Sequence, residues 1–309
     1  MKQLQTIPEY ICPPGEENFS IYTDTDSVYV KALPILRFLY PDFDEKTDDE
    51  KDDLLEKTAI KFQDVLNDHY ESVATDIFNC KDHRLEMKTE CVIRSAYFRS
   101  VRRYAQWITR EEHIKNEYLS FKGLEYMKTN FPKYFSEFFY GIMKQALKGT
   151  AKEEIDQKIL DFKKKTLSLE TDIVLLGNPT AVNTMDDYVE RKPKPGELFT
   201  PTTKGALASV KAALRYNDLL RYWGLDKKHS FIAQGDKIKW IYLKDNPYKI
   251  DAIAFLDFDI PDKVRTFMNE YADREKIFES VLLKKLQGFY GDIGWVLNLN
   301  PHSSKFFTF

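Results

Sequence analysis

The chain has 309 residues, 43% of them hydrophobic, which is enough to bury one large core or two modest ones. It has no run of about 18 apolar residues, and its first ten residues lack the apolar segment of a signal peptide, so the sequence predicts neither a membrane protein nor a secreted one. The three cysteines, Cys12, Cys80 and Cys91, lack the spacing of metal ligands and are typical of free thiols in the cytoplasm.

The net charge of −3 conceals an uneven distribution of charge along the chain. Residues 1–80 carry 7 basic and 18 acidic side chains, whereas residues 81–309 carry 39 basic and 31 acidic ones. Between Lys88 and Arg110 there are 6 basic residues and 1 acidic residue. A local basic stripe of this kind is typical of a nucleic-acid-binding face, although a solvated basic surface gives the same pattern.

The first part of the chain mixes strand and helix patterns. Extended segments on both sides of Asp24 to Ser27 predict a β-hairpin, which an acidic loop follows at Pro41–Asp53. Apolar residues spaced three and four apart predict a long amphipathic helix over Leu54–Phe78. Alternation over Arg84–Trp107 predicts one or two strands, and a turn then leads to another extended segment at Tyr118–Lys128.

After Pro132 the pattern changes to that of helices. The predicted helices cover residues 133–147, 151–165, Lys204–Gly224 and 273–289. A loop is expected over Gly177–Thr203, and residues 236–243 read as a strand. Together these elements predict an α+β fold.

Two aspartates, Asp24 and Asp26, occupy the turn of the predicted hairpin. Residues i and i+2 of a strand point to the same face, and a tight turn can also bring two carboxylates together. Mg²⁺ prefers such oxygen ligands, and two ions about 3.5–4 Å apart can activate an attacking oxygen and stabilise a leaving one. Taken alone, the pair is a weak signal and fits a solvated turn better than a metal site.

The residues around this pair carry a resemblance to a known family. The segment "YTDTDS" (Tyr22–Ser27) closely resembles the Y-x-D-T-D-S palm motif of B-family DNA polymerases. Further matches follow in the order seen in the replicative enzymes of tailed phages: "LEMKTE" (Leu85–Glu90), "RRYA" (Arg102–Ala105), "KGLEYMKTNFPK" (Lys122–Lys133) and "AALRYN" (Ala212–Asn217). The resemblance spans essentially the whole chain.

Several motifs of that family do not occur in the sequence. They are the D-x-x-S-L-Y-P-S motif with the other metal-binding aspartate, the K-x-x-x-N-S-x-Y-G nucleotide-binding helix and the acidic exonuclease motifs. Because only twenty-one residues precede Tyr22, we expect the C-terminal fragment of a split polymerase. The expected partner is an N-terminal fragment carrying the exonuclease, the fingers and the remaining palm. A piece cut from an undivided polymerase would have the same sequence.

The resemblance implies a domain organisation. Residues 1–100 would form the C-terminal part of a palm, with the hairpin and its backing helix. Residues 101–298 would form a mostly helical thumb, and residues 299–309 a tail that binds a sliding clamp. A palm that lacks a strand exposes a sheet edge, so we expect the isolated chain to be marginally stable or self-associating.

The resemblance also implies roles at the metal site. Asp26 would be a direct ligand of two Mg²⁺ ions shared with the partner fragment, and Asp24 would bind metal or tune the site. The site would act on a dNTP and a primer 3′-hydroxyl. The further near-site candidates are Tyr22, Thr25, Ser27 and Glu86. Glu86 fits an ordinary surface carboxylate equally well.

Primer-template DNA is the second partner that the resemblance implies. Arg102 and Arg103 would contact phosphates near the primer end, and Tyr104 would pack beside a sugar or the minor groove. The chain departs from the family run here at Val101 and Arg102. Additional candidates for DNA binding are Lys122, Gly123, Lys128 and Lys133. A basic strand edge that discourages aggregation is the alternative for the Arg102 segment. The helix over Lys204–Tyr222 would lie near the product duplex in a thumb, but packing of the core explains its Ala and Leu face equally well.

The aromatic residues Phe306, Phe307 and Phe309 at the end of the sequence resemble the tail that family members insert into a sliding clamp. Lys305 departs from the family pattern, and the tail could instead fold back on the core. The leading hypothesis is a polymerase subunit in the cytoplasm of a host cell, with no membrane partner. The alternative is a non-catalytic module that binds duplex DNA and the clamp.

Overall fold

The computed structural model describes residues 19–24, 27–124 and 130–299. The strands are β1 (Ser20–Asp24), β2 (Ser27–Val30), β3 (Cys91–Ser100), β4 (Arg103–Glu111), β5 (Ile114–Lys122), β6 (Asn178–Ala181), β7 (Lys237–Tyr242) and β8 (Ala252–Phe255). The helices are α1 (Leu33–Leu39), α2 (Asp48–Ser72), α3 (Lys133–Leu147), α4 (Lys152–Leu167), α5 (Ala208–Tyr222), α6 (Asp262–Tyr271), α7 (Arg274–Ile277) and α8 (Lys284–Asp292). The predicted α+β class is confirmed.

The strands form three small sheets, with the orders β1-β2, β3-β4-β5 and β6-β7-β8. The chain divides into two compact units. The first contains the described residues of 1–96 and 105–120, and the second contains those of 97–104 and 121–309. Whether these units correspond to a palm and a thumb stays a prediction. Within the described ranges, no helix is both long and apolar enough to cross a lipid bilayer.

Helix α2 begins earlier than the sequence analysis predicts, inside the segment read as an acidic loop. Thr47 accepts a hydrogen bond from the Glu50 amide, and the Glu50 side chain accepts one from the Thr47 amide, which completes a capping box. Asp48 and Asp49 occupy the first turn, where the helix dipole stabilises negative charge. The later part of the acidic segment, Asp48 to Asp53, is therefore the start of the helix, and residues 41–47 precede it.

A small hydrophobic core holds the hairpin against the helices of the first unit. Phe19, Ile35 and Phe62 are buried together, and partly buried Val30, Leu39 and Val65 pack against them. Val30 belongs to β2, so this strand is fixed beside α1 and α2. A two-stranded sheet is marginal alone, and this contact supplies part of what it lacks.

Residues 84–90 are not a strand, although the sequence predicts extended structure from Arg84. The side chain of Asn67 on α2 accepts from the Met87 amide at 2.7 Å and donates to the Met87 carbonyl at 3.0 Å. The Gln63 side chain accepts from the Thr89 amide at 2.7 Å. The side-chain amides of Asn67 and Gln63 therefore bond backbone groups of this segment that a neighbouring strand would otherwise pair with.

Carboxylates in the first half of α2 pair with two of the six basic residues of the predicted stripe, Arg94 and Arg110. Arg94 of β3 binds Asp52 at 2.5 Å and Asp48 at 2.8 Å, and the Asp52 side chain is 6% exposed. Further along the chain, the pairs are Arg110 of β4 with Asp53 and Glu56, His113 with Glu56, and Lys115 of β5 with Asp49. The hydrogen bond from Lys115 lowers the pKa of Asp49. Arg94 and Arg110 thus hold the first unit together.

Helix α5 is the centre of the second unit. It is rich in Ala and Leu as predicted. It begins at Ala208, four residues later than the predicted start at Lys204. Ala212, Ala213 and Tyr216 are fully buried, and the Asn217 amide donates to the Ile232 carbonyl at 2.7 Å. The "AALRYN" segment therefore builds the core.

Of the remaining predictions for this part of the chain, three are confirmed and the predicted loop is partly wrong. The helices at 133–147 and 151–165 are confirmed as α3 and α4, and strand 236–243 is confirmed as β7. The segment Gly177–Thr203 is not all loop, because β6 pairs antiparallel with β7. The late helix runs from α7 through a π-helical turn at Phe278–Leu283 into α8.

Replacing Arg94 with Met is expected to destabilise the first unit by about 2–3 kcal/mol, because Asp52 is left buried without its partner charge. Hydrogen exchange of the α2 amides measures the effect. The matched control is Lys88→Met, whose ammonium is 69% exposed beside Glu86, and which should change stability by less than about 0.5 kcal/mol. Equal effects of the two changes would contradict the structural role of Arg94.

Candidate functional site

The β1–β2 strand pair carries the described residues of the acidic motif. The strands pair antiparallel, with Tyr22 opposite Tyr29, Thr23 opposite Val28 and Asp24 opposite Ser27. The Ser27 hydroxyl donates to the Asp24 carbonyl at 3.2 Å. Asp24 and Ser27 are therefore the last described residues of the two paired strands, and Thr25 and Asp26 lie outside the described residues. The two predicted strands are confirmed.

The hairpin has two different faces. Tyr22 and Asp24 are two residues apart on β1, and their partners Tyr29 and Ser27 are two residues apart on β2, so all four share one face. The Tyr22 and Tyr29 rings lie 5.7 Å apart between centroids. Val30 of β2 packs on the core. On β1, Tyr22 and Asp24 are half-buried and Thr23 between them is exposed, so the face with Asp24 is the more buried face of this strand.

The donors on this face suit a hard divalent cation. A carboxylate and a hydroxyl are oxygen ligands of the kind that Mg²⁺ takes, and Mg²⁺ leaves several positions to water and phosphate. In the described part of the chain, no group of three or more His, Cys, Asp or Glu residues is arranged to hold a metal. A complete site at the hairpin therefore needs donors beyond Asp24 and Ser27.

Glu86 lies in the segment that α2 holds through Asn67 and Gln63. Its side chain is 62% exposed and lies 3.3 Å from the Lys88 ammonium. This geometry suits a surface ion pair, and an approach to the metal site stays a prediction.

The second candidate feature is the tight turn between β3 and β4, in the second unit. Val101 and Arg102 connect the strands, and Arg102 adopts a left-handed conformation with φ of 59°. Residues other than Gly, Asn and Asp rarely adopt this left-handed backbone conformation. A Cβ at Gly123 would lie 2.1 Å from the Arg102 carbonyl oxygen, and Gly123 itself has φ of +66°. Gly123 therefore permits close packing of the β5 end against this turn.

Five predicted DNA-binding residues converge at this turn. Besides Arg102 and Gly123, they include Arg103, Tyr104 and Lys122, whose ammonium lies 5.7 Å from the Tyr104 ring centroid. Tyr104 is 5% exposed and packs beside Phe98 at 5.4 Å, so its ring supports the turn from inside. Arg102 and Lys122 are exposed, which leaves two cationic side chains at the surface.

The turn is anchored by residues that the sequence analysis missed. The Tyr97 hydroxyl donates to Asp292 of α8, and the Arg99 guanidinium lies 3.5 Å from the same carboxylate. Tyr97 also packs edge-on against Phe289 at 5.2 Å. These partners are about 195 residues apart, so no local pattern reveals them.

The other predicted site residues are placed as follows. Lys133 is the first residue of α3, is 89% exposed and lies 3.6 Å from Glu137. Lys128, Phe306, Phe307 and Phe309 lie outside the described residues.

Gly123→Ala is expected to destabilise the second unit by about 2–4 kcal/mol, because the new methyl group meets the Arg102 carbonyl and the backbone is left-handed. Gly149→Ala is the matched control: φ is +80°, and no described atom lies within 4 Å of the new Cβ. It should cost about 1 kcal/mol from the backbone conformation alone. Denaturant unfolding measures both, and equal losses would mean that the contact with Arg102 contributes nothing.

Comparisons with known proteins add no relative. No protein-family model matches the chain. No curated protein matches it significantly either. The resemblance to B-family polymerases accordingly rests on the motif residues themselves.

Proposed function

We propose that this chain is the C-terminal subunit of a split B-family replicative DNA polymerase. It supplies one half of a two-metal nucleotidyl-transfer site and a thumb that grips the duplex, and it is active only with an N-terminal fragment. The remaining metal ligand, the fingers and the exonuclease belong to that fragment. The proposal includes a sliding clamp as a partner for Phe306, Phe307 and Phe309.

The observation that carries the proposal is that the described residues of "YTDTDS" belong to two paired antiparallel strands. Tyr22 and Asp24 of β1 pair with Tyr29 and Ser27 of β2. Val30 on the second strand packs on the core, which anchors the hairpin. An anchored hairpin supports a metal-binding role, because catalytic carboxylates need a rigid support.

The chemistry follows from carboxylates at the tip. Mg²⁺ ions held there would lower the pKa of the primer hydroxyl and neutralise charge on the triphosphate. The carboxylates of Asp24 and Asp26 would hold these ions, and the Ser27 hydroxyl fixes the hairpin end by its bond to Asp24. Electrostatic positioning of this kind is usually the largest contribution to phosphoryl transfer.

The basic turn supports the proposed grip on DNA. Arg102, Arg103 and Lys122 lie around one turn that Gly123 and Asp292 fix in place. Cations at a fixed position bind phosphates without reading sequence, as a general polymerase requires. Arg94 and Arg110 are excluded from this role by their ion pairs with α2.

The same turn favours a second candidate function, a non-catalytic module that binds duplex DNA and the clamp. Arg102, Arg103 and Lys122 all belong to the second unit, so this surface needs no other chain. Duplex affinity is common to both hypotheses, and Mg²⁺-dependent synthesis distinguishes them.

In the assembled two-chain enzyme, Asp26→Asn is expected to lower primer extension at least about 100-fold, because a neutral amide is a poor ligand for Mg²⁺. Asp24→Asn should lower it by a smaller factor. Asp64→Asn on α2 is the matched control, since it removes an exposed carboxylate of the same unit and should leave synthesis unchanged. Normal synthesis by an Asp26→Asn complex that assembles fully would refute the catalytic role.

Arg102→Asn is expected to weaken duplex binding and to reduce the slope of log affinity against log salt by about 0.9, the value for one phosphate contact. Its effect on stability should stay within about 0.5 kcal/mol, because Asn tolerates the left-handed conformation. Lys237→Gln, an exposed change on β7, should leave the slope unaltered. Titrations with labelled duplex at several salt concentrations measure both, and an unchanged slope for Arg102→Asn would remove this residue from the interface.

A further inference from the structure

An apolar groove runs between α3 and α4. It has a volume of about 420 Å³, and its lining residues are Glu137, Phe138, Gly141, Ile142, Gln145, Lys158, Asp161, Phe162 and Lys165. The rings of Phe138 and Phe162 stack with centroids 3.7 Å apart and are half-buried. This size and apolar lining suit the binding of a few large side chains.

Gly141 shows that the groove is not shaped by packing within the described chain. It lies in the middle of α3, where Gly destabilises a helix by roughly 1 kcal/mol relative to Ala. A Cβ at Gly141 would meet no described atom within 4 Å. Since no neighbour in the described chain requires this glycine, its missing side chain leaves room for an occupant of the groove.

The groove has an aromatic floor and charges of both signs at its rim. Glu137 and Asp161 are 66% and 60% exposed, and Lys158 and Lys165 also line the groove. The matching ligand is therefore a mainly aromatic segment, and a cation on it can lie beside one of the carboxylates. Residues 300–309 of this chain, "NPHSSKFFTF", contain three phenylalanines and one lysine, Lys305.

The end of the described chain is close enough for this segment to reach the groove. Trp295 packs on Tyr290 at 5.4 Å, and the Tyr290 hydroxyl donates to Asp156 of α4 at 2.8 Å. Asp156 lies on the other flank of α4 from Phe162, and a helix with its side chains is about 10–12 Å across. Ten extended residues span up to about 33 Å, which is ample to pass around it.

We propose that residues 300–309 bind this groove, with phenylalanines on the Phe138–Phe162 floor and Lys305 beside Glu137 or Asp161. The inference does not depend on the polymerase assignment. If the same phenylalanines also bind a sliding clamp, the groove and the clamp compete for them, and the tail is sequestered until the clamp displaces it.

Limited chymotrypsin digestion of the full chain, followed by intact mass, tests the proposal at the bonds after Phe306 and Phe307. In the parent chain, cleavage should be about tenfold slower than in Gly141→Leu, the protection expected for an effective concentration of about 1 mM and a groove affinity of about 0.1 mM. Leu fills the groove and is a better helix former than Gly, so thermal unfolding should show an undiminished midpoint.

Glu153→Leu is the matched control, because it adds the same side chain to an exposed position of α4 outside the groove, and its tail should remain protected. Protection that is independent of protein concentration supports binding within one chain. Equal cleavage of the parent chain and Gly141→Leu would overturn the proposal. Protection that increases with protein concentration would also overturn it, since a second copy would then supply the occupant.

Discussion

The first unit depends on the pairing of α2 carboxylates with arginines of the adjoining strands. Residues 1–80 carry 18 acidic and 7 basic side chains, and residues 81–309 carry 39 basic and 31 acidic ones. In the first unit, acidic side chains of α2 pair with arginines from the later segment. Arg94 and Arg110 form ion pairs with carboxylates of α2, and Asp52 is almost fully buried. What remains of the basic stripe as a surface for nucleic acid is concentrated at the β3–β4 turn, where Arg102 is exposed and Lys122 lies beside it.

That turn is unusual because it holds an arginine in a conformation that Gly or Asn adopts more readily. Strain of this kind persists only when the surroundings fix it, and here Gly123 packs against the Arg102 carbonyl while Tyr97 and Arg99 bind Asp292. The hairpin of the first unit is likewise held by a core contact, since Val30 packs against the cluster of Phe19, Ile35 and Phe62. In both units, the residues that the resemblance singles out are supported by core contacts close behind them.

Local patterns predicted much of this architecture. The β1–β2 hairpin, α3 and α4 follow from alternation or helical spacing. The Thr47–Glu50 capping box marks the start of α2 in the sequence, within the segment whose acidic composition suggested a loop. The strand β8 was missed because its four residues are all buried and show no alternation. Residues 84–90 were misread because Asn67 and Gln63 satisfy their backbone from another element. The candidate DNA-binding residues around Arg102 were identified only through the family resemblance. The need for glycine at position 123 comes from its tertiary contact with the Arg102 carbonyl, which no local sequence pattern contains.

The most direct test of the central claim is primer extension with Mg²⁺ and all four dNTPs. It should be run with this chain alone, with an N-terminal fragment carrying the absent motifs alone, and with the two mixed. The split-site account predicts synthesis in the mixture and none from either chain by itself. If the two chains co-purify as a complex and the mixture still fails to extend a primer, the hairpin is not half of a polymerase site, and the chain is a DNA-gripping module instead.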